Sequence, residues 1–331
     1  MIEYVAVPDP PVRPLEADVA GRRIAAHATP YGGEVGGPSF RFDPLEGRLV
    51  PRRGSGRVAV GPADAEAWAR SFSRCPAGPV LVGPGSPAEE IRGAGLAAAE
   101  GAARAGRGVY LLDPDPAGIP AARRSSFTAI FCWAPGSDDV AERLAPLLAA
   151  GAPAGALLPM IPGWTDDARF LEQWWARVAD AGALFAAAVP APGGGDERRL
   201  LVEARSHVDP AAADSFFEKA HHSDWTSAVR EGIRLFRAEA ARRGLPAIPP
   251  RPIGAGEPPG NSAAAGWLEE RAVTVEEDEH RAALLHGAAR WIDEAGRDLA
   301  PVVREGNFGK VFPFGALTAE AEAAFRVERL P

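Results

Sequence analysis

Two runs of residues with almost no polar alternation, Ala154–Ile161 and Ala183–Val189, stand either side of one amphipathic stretch, and this arrangement constrains the fold more than any other feature. Such runs suit strands covered on both faces. Pro162 and Gly163 stop the first run. Thr165 is placed to cap the helix that follows, with Asp166 and Asp167 near the positive end of its dipole. Leu171, Trp174, Trp175 and Val178 share one helical face, and Gly182 ends the helix. A strand, a helix and a strand of these lengths imply parallel pairing through a right-handed crossover.

The same pattern recurs upstream. Strands are expected at Arg57–Val60, Pro79–Val82, Gly108–Leu112 and Phe127–Trp133, with helices at Ala63–Phe72, Ala88–Ala105 and Asp138–Ala150. Units of about 20 to 30 residues indicate an alternating α/β fold with a parallel sheet. Six such units are too few for a complete eight-unit barrel, which leaves a partial (β/α)6 barrel or a doubly wound sheet. Residues 1–56 read as an irregular, Pro- and Gly-rich N-terminal segment with one hairpin, Phe40–Phe42 against Arg48–Val50. The barrel occupies 57–192, and 193–331 reads as a mainly helical C-terminal region. In that region Asp209-Pro210 starts one helix and Ser223 another, the latter carrying Trp225, Val229, Ile233 and Phe236. Pro246–Asn261 is a Pro/Gly-rich crossing segment anchored by Ile248 and Ile253. Thr274 with Glu277 forms a capping box opening a helix striped by Leu284, Ala288, Trp291, Ile292 and Leu299.

Several functional classes are disfavoured. The net charge is −8 and the Arg residues are scattered, so there is no basic footprint for nucleic acid. No apolar run approaches the roughly 20 residues of a membrane helix, and the first residues lack signal-peptide character. Cys75 and Cys132 are too few for a disulfide framework. The expectation is a cytoplasmic protein with a small-molecule or protein partner.

Candidate chemistry is sparse. Gly83-Pro84-Gly85-Ser86-Pro87 is not a nucleophile elbow, because Pro87 replaces the closing glycine. Its glycines could instead bring backbone N–H groups to an anion. None of the six histidines shows the i, i+4 spacing of a helical zinc site, so no metal ligands are assigned. Barrel sites form at the carboxyl ends of strands. Asp64, Glu89, Asp113, Asp115, Trp133, Asp138 and Asp166 fall there, although Asp64, Asp138 and Asp166 read first as helix caps. The ligand-binding candidates are Gly83, Gly85, Ser86, Glu89, Asp113 and Trp133; no catalytic residue is assigned.

Two stretches resemble the radical S-adenosylmethionine enzymes, in particular their spore photoproduct lyase-like branch. Leu148–Pro153 followed by Leu158-Pro159-Met160-Ile161-Pro162-Gly163-Trp164-Thr165-Asp166 resembles the family's fifth-strand region. Val80–Glu90 resembles its second strand and polar loop, and Gly106–Asp113 stands where its third would be. The resemblance implies a six-stranded partial barrel and makes S-adenosylmethionine a possible ligand. Gly32-Gly33-Glu34 is similar to the family's methionine-binding triplet but precedes the first expected barrel strand. The family's cluster-binding Cys-x3-Cys-x2-Cys is absent: the loop after the first expected strand, Gly61–Ala65, has no cysteine. No iron–sulfur cluster is therefore expected. The resemblance implies a cluster-less ligand-binding or accessory subunit. Carboxylate acid–base chemistry at the barrel mouth and a protein-interaction scaffold are the alternatives.

Overall fold

Alternation of Leu15, Ala17 and Val19 with Glu16 and Asp18 makes a strand at the start of the described chain. The computed structural model describes residues 15–19, 22–26, 40–43, 48–51, 65–66, 69, 80–82, 97, 99–112, 127–133, 140–191, 195–222, 224–274 and 279–326. β1 (Leu15–Val19) and β2 (Arg22–Ala26) pair antiparallel, with Val19 opposite Arg22. β3 (Phe40–Asp43) and β4 (Arg48–Pro51) form the expected hairpin, a separate two-stranded ribbon. β2 continues the main sheet in parallel with β5 (Val80–Val82). After β5 come β6 (Val109–Leu112), β7 (Phe127–Cys132), β8 (Ala154–Met160) and β9 (Ala186–Pro190), all parallel and in chain order. The described order has no reversal of the kind found at the centre of a doubly wound sheet.

The N-terminal segment is thus not wholly irregular: β1 and β2 belong to the main sheet. A two-residue connection, Ala20-Gly21, between an alternating strand and its partner is the signal for this hairpin. The expected strand Arg57–Val60 lies outside the described residues.

The helices whose bounds are described include α1 (Val140–Ala149), α2 (Ala168–Asp180), α3 (Gly195–Val208), α4 (Ala213–His222), α5 (Trp225–Arg242), α6 (Pro259–Thr274) and α7 (Glu279–Asp293). Three short ones follow: α8 (Ala300–Arg304), α9 (Phe308–Val311) and α10 (Thr318–Ala324). Every residue of β8 is buried, as its unbroken apolar run requires. Trp174, Trp175 and Val178 of α2 are buried. Both indoles meet Phe236 of α5, with ring centroids 5.4 and 4.6 Å away. Gly182, at φ +76°, turns the chain out of α2 into β9.

The cap of α2 differs from the expected one. Thr165 does not cap α2: its hydroxyl is drawn back to the strand end, donating to the Pro159 carbonyl and accepting from Ile161 N–H, both at 2.7 Å. Asp167 takes the cap, accepting from Phe170 N–H at 2.9 Å. Thr274 is the last residue of α6, and Glu277, the other half of the expected capping box, lies outside the described residues.

Side chains on a strand alternate between faces. The face carrying Phe131 and Met160 receives helices: the Arg143 guanidinium of α1 lies over Phe131 at 4.7 Å, and Gly232 of α5 meets Met160. The opposite face, carrying Tyr110 and Thr128, receives the crossing segment, where the Thr128 hydroxyl donates to the Pro250 carbonyl at 3.3 Å. This segment crosses the amino ends of three strands. Ala186 N–H donates to the Pro246 carbonyl, and Gly256 N–H to the Gly106 carbonyl, both at 3.0 Å. Its approach is close enough that a Cβ on Gly108 would collide with the Pro252 backbone. Ile248 is buried as expected, whereas Ile253 is 47% exposed and anchors nothing.

The buried apolar residues form two cores. One joins the sheet to α1–α5, and the other is made by α6–α10.

Candidate functional site

At the carboxyl ends of β7 and β8 the structure gathers rings. Trp133 extends the ladder through its N–H to the Leu157 carbonyl at 2.8 Å. Its indole meets Trp164 edge-on at 6.0 Å and Phe170 of α2 at 5.1 Å. Trp164 in turn meets Phe216 of α4 at 5.8 Å and lies beneath the Arg205 guanidinium of α3 at 4.8 Å. These contacts leave both indoles buried. Trp133 shares the strand parity of Phe131, so it falls on the helix-packed face. Trp133, a ligand-binding candidate from the sequence, thus stands just past the end of β7 and is buried among these rings. Asp166 serves the turn after β8, accepting from Gly163 N–H at 2.7 Å. Gly83, Gly85, Ser86, Glu89 and Asp113 lie outside the described residues, as do Asp64, Asp115 and Asp138.

Beneath the amino ends, sequence reasoning missed a buried charge cluster. The Arg251 side chain is 4% exposed and reaches Glu269 of α6 at 3.2 Å and Asp293 of α7 at 2.5 Å. Glu257 is buried beside them, accepting from Gly254 N–H at 3.2 Å and the Ser262 hydroxyl at 3.1 Å. One guanidinium pairs with two carboxylates while a third, Glu257, acts on Asp293, and both Arg251 and Asp293 hold their protons more firmly than usual. Burial alone would discourage the Arg251 charge, but Asp293 and Glu269 hold it more firmly protonated than usual. Burial pushes Asp293 up to about 7; Arg251 pulls against that shift and Glu269 adds to it. Asp293 is therefore pushed toward its neutral form, which relieves the surplus negative charge. The available sequence signals were charges on apolar stripes: Glu269 follows Leu268, Asp293 follows Ile292, and Arg251 stands between two prolines.

A carboxyl that titrates near neutrality has the proton affinity of a general acid or base. This one is sealed at the amino end of the sheet, the end that in barrels serves stability. Of the described histidines, His207 and His221 have their Nδ1 atoms 2.9 and 3.0 Å from carbonyls of their own helices. Among the described residues no group of three His, Cys, Asp or Glu side chains converges as a metal site would, and no helix is long and apolar enough to cross a membrane. No family model matches the chain, and no curated protein or solved structure is significantly similar to it.

Proposed function

We propose that this chain is a ligand-binding or accessory protein on a partial (β/α)6 barrel, a cluster-less relative of the radical S-adenosylmethionine enzymes. Its ligand site is at the carboxyl ends of β5 and β6. The observation that carries this reading is the parallel pairing of these two strands, Val82 with Leu111. The chain therefore leaves both strands at the same end, into the stretches holding Gly83, Gly85, Ser86 and Glu89 on one side and Asp113 on the other. β2 also runs parallel to β5, so Gly32-Gly33-Glu34 follows a parallel strand of this sheet. The glycines would offer N–H groups to a carboxylate, and the acidic side chains would suit a cationic or hydroxyl-rich ligand. S-adenosylmethionine carries all of these groups, which makes it the first ligand to test.

The iron–sulfur cluster does not fit the residues present. His27–Ser39, after β2, contains no cysteine, nor does Gly61–Ala65; Cys75 and Cys132 are the chain's two cysteines. Anaerobic reconstitution should give no stoichiometric four-iron spectrum. A protein scaffold is the second reading, favoured by the rings that close the ends of β7 and β8. A thermal-shift screen including S-adenosylmethionine separates the two. At 100 times its dissociation constant a ligand adds about 2.7 kcal/mol to stability. A scaffold without a small-molecule site shows no such shift.

A further inference from the structure

The two hydrophobic cores meet through groups that are charged. Arg251 and Glu257 come from the crossing segment, Glu269 from α6 and Asp293 from α7. Arg251, Glu269 and Glu257 are the charged groups that act most strongly on Asp293, and Tyr110 of β6 also acts on Arg251. On α7 itself Arg290, more than half exposed, pairs with Glu294 at 2.9 Å. Surplus buried charge is relieved by neutralisation. The junction lies where α6 leaves the crossing segment. There Asn261 ties α6 to the end of α7, its amide donating to the Ile292 and Arg297 carbonyls at 3.2 and 2.9 Å.

We propose that this junction is a proton-operated latch: one proton taken up by the carboxylates around Arg251 tightens the α6–α10 helices on the sheet, and its loss loosens them. The direction follows from linkage. The Asp293 carboxyl rises from 3.8 unfolded to about 7 folded, so between those values the folded state binds more protons. Its contribution is complete below the unfolded value and is lost as pH rises through about 7. Ordinary ion pairs act elsewhere. Hydrogen bonding to Arg242 holds Glu239 down at about 2, so its contribution fades only in acid.

The test is amide hydrogen exchange on the full chain, corrected for the intrinsic effect of pH. From pH 8 to pH 6, exchange through α6 and α7 should slow about tenfold, while α2 stays level. Asp293→Asn, the neutral isostere, should remove the pH dependence. Should that variant not fold, the carboxyl ¹³C shift of Asp293 in the wild-type chain serves instead, with a midpoint of about 7 that moves down in Glu257→Gln. A level wild-type profile, a slope retained in Asp293→Asn, or a midpoint at the ordinary carboxylate value of about 4 would overturn the latch.

Discussion

At the carboxyl ends of β7 and β8 the space is filled by rings, whereas beneath the amino ends of β6 and β7 it is filled by charges. Trp133, Trp164, Phe170 and Phe216 need only mutual contact, and their packing has no proton to exchange. Arg251, Glu269 and Asp293 must satisfy one another, because a buried charge without its partner is costly. The same sheet is therefore closed at one end by packing that ignores pH and at the other by packing that responds to it.

Removing the cation should break this contrast most severely. Arg251→Met leaves Glu269, Glu257 and Asp293 together with no counter-charge, and should cost about 4–5 kcal/mol at pH 8 in denaturant unfolding. The loss should shrink at pH 6, where Asp293 is protonated. Trp164→Ala should cost about 3–4 kcal/mol, by the cavity it leaves beside Trp133 and Phe216. That loss should be equal at pH 6 and pH 8; a pH-dependent loss would erase the distinction between the two ends.

The sequence makes the parallel strands legible because their apolar runs are bounded by Gly and Pro and separated by amphipathic helices. β8, β9 and α2 each fall close to their expected positions. It hides β1 and β2 behind a Pro/Gly-rich surrounding, although their alternation is regular. Thr165 shows why caps are harder: its hydroxyl has two possible tasks, and the strand end outcompetes the helix. The charge cluster was illegible for a related reason. Glu269 and Asp293 are 18 and 42 residues from Arg251 along the chain, and the packing of α6 and α7 against the crossing segment brings them together.

Two smaller substitutions sharpen the comparison. Gly108→Ala forces a Cβ against the Pro252 backbone and should cost about 2 kcal/mol while lifting the crossing segment. Proteolysis within 246–258 should then accelerate. Asp167→Ala removes the α2 cap and should cost about 1 kcal/mol, with no effect on the exchange of α6 or α7.

The central claim, that ligand recognition belongs to the carboxyl ends of β5 and β6 and not to the charged junction at the amino end, is tested most directly by a thermal-shift titration. The wild-type chain, Asp113→Ala, Glu89→Ala and Asp293→Asn would each be titrated with S-adenosylmethionine at pH 6. The account predicts a saturable stabilisation of the wild-type chain that Asp293→Asn retains and that Asp113→Ala and Glu89→Ala lose. An undiminished shift in Asp113→Ala and Glu89→Ala would contradict the site. No shift in the wild-type chain would contradict S-adenosylmethionine binding.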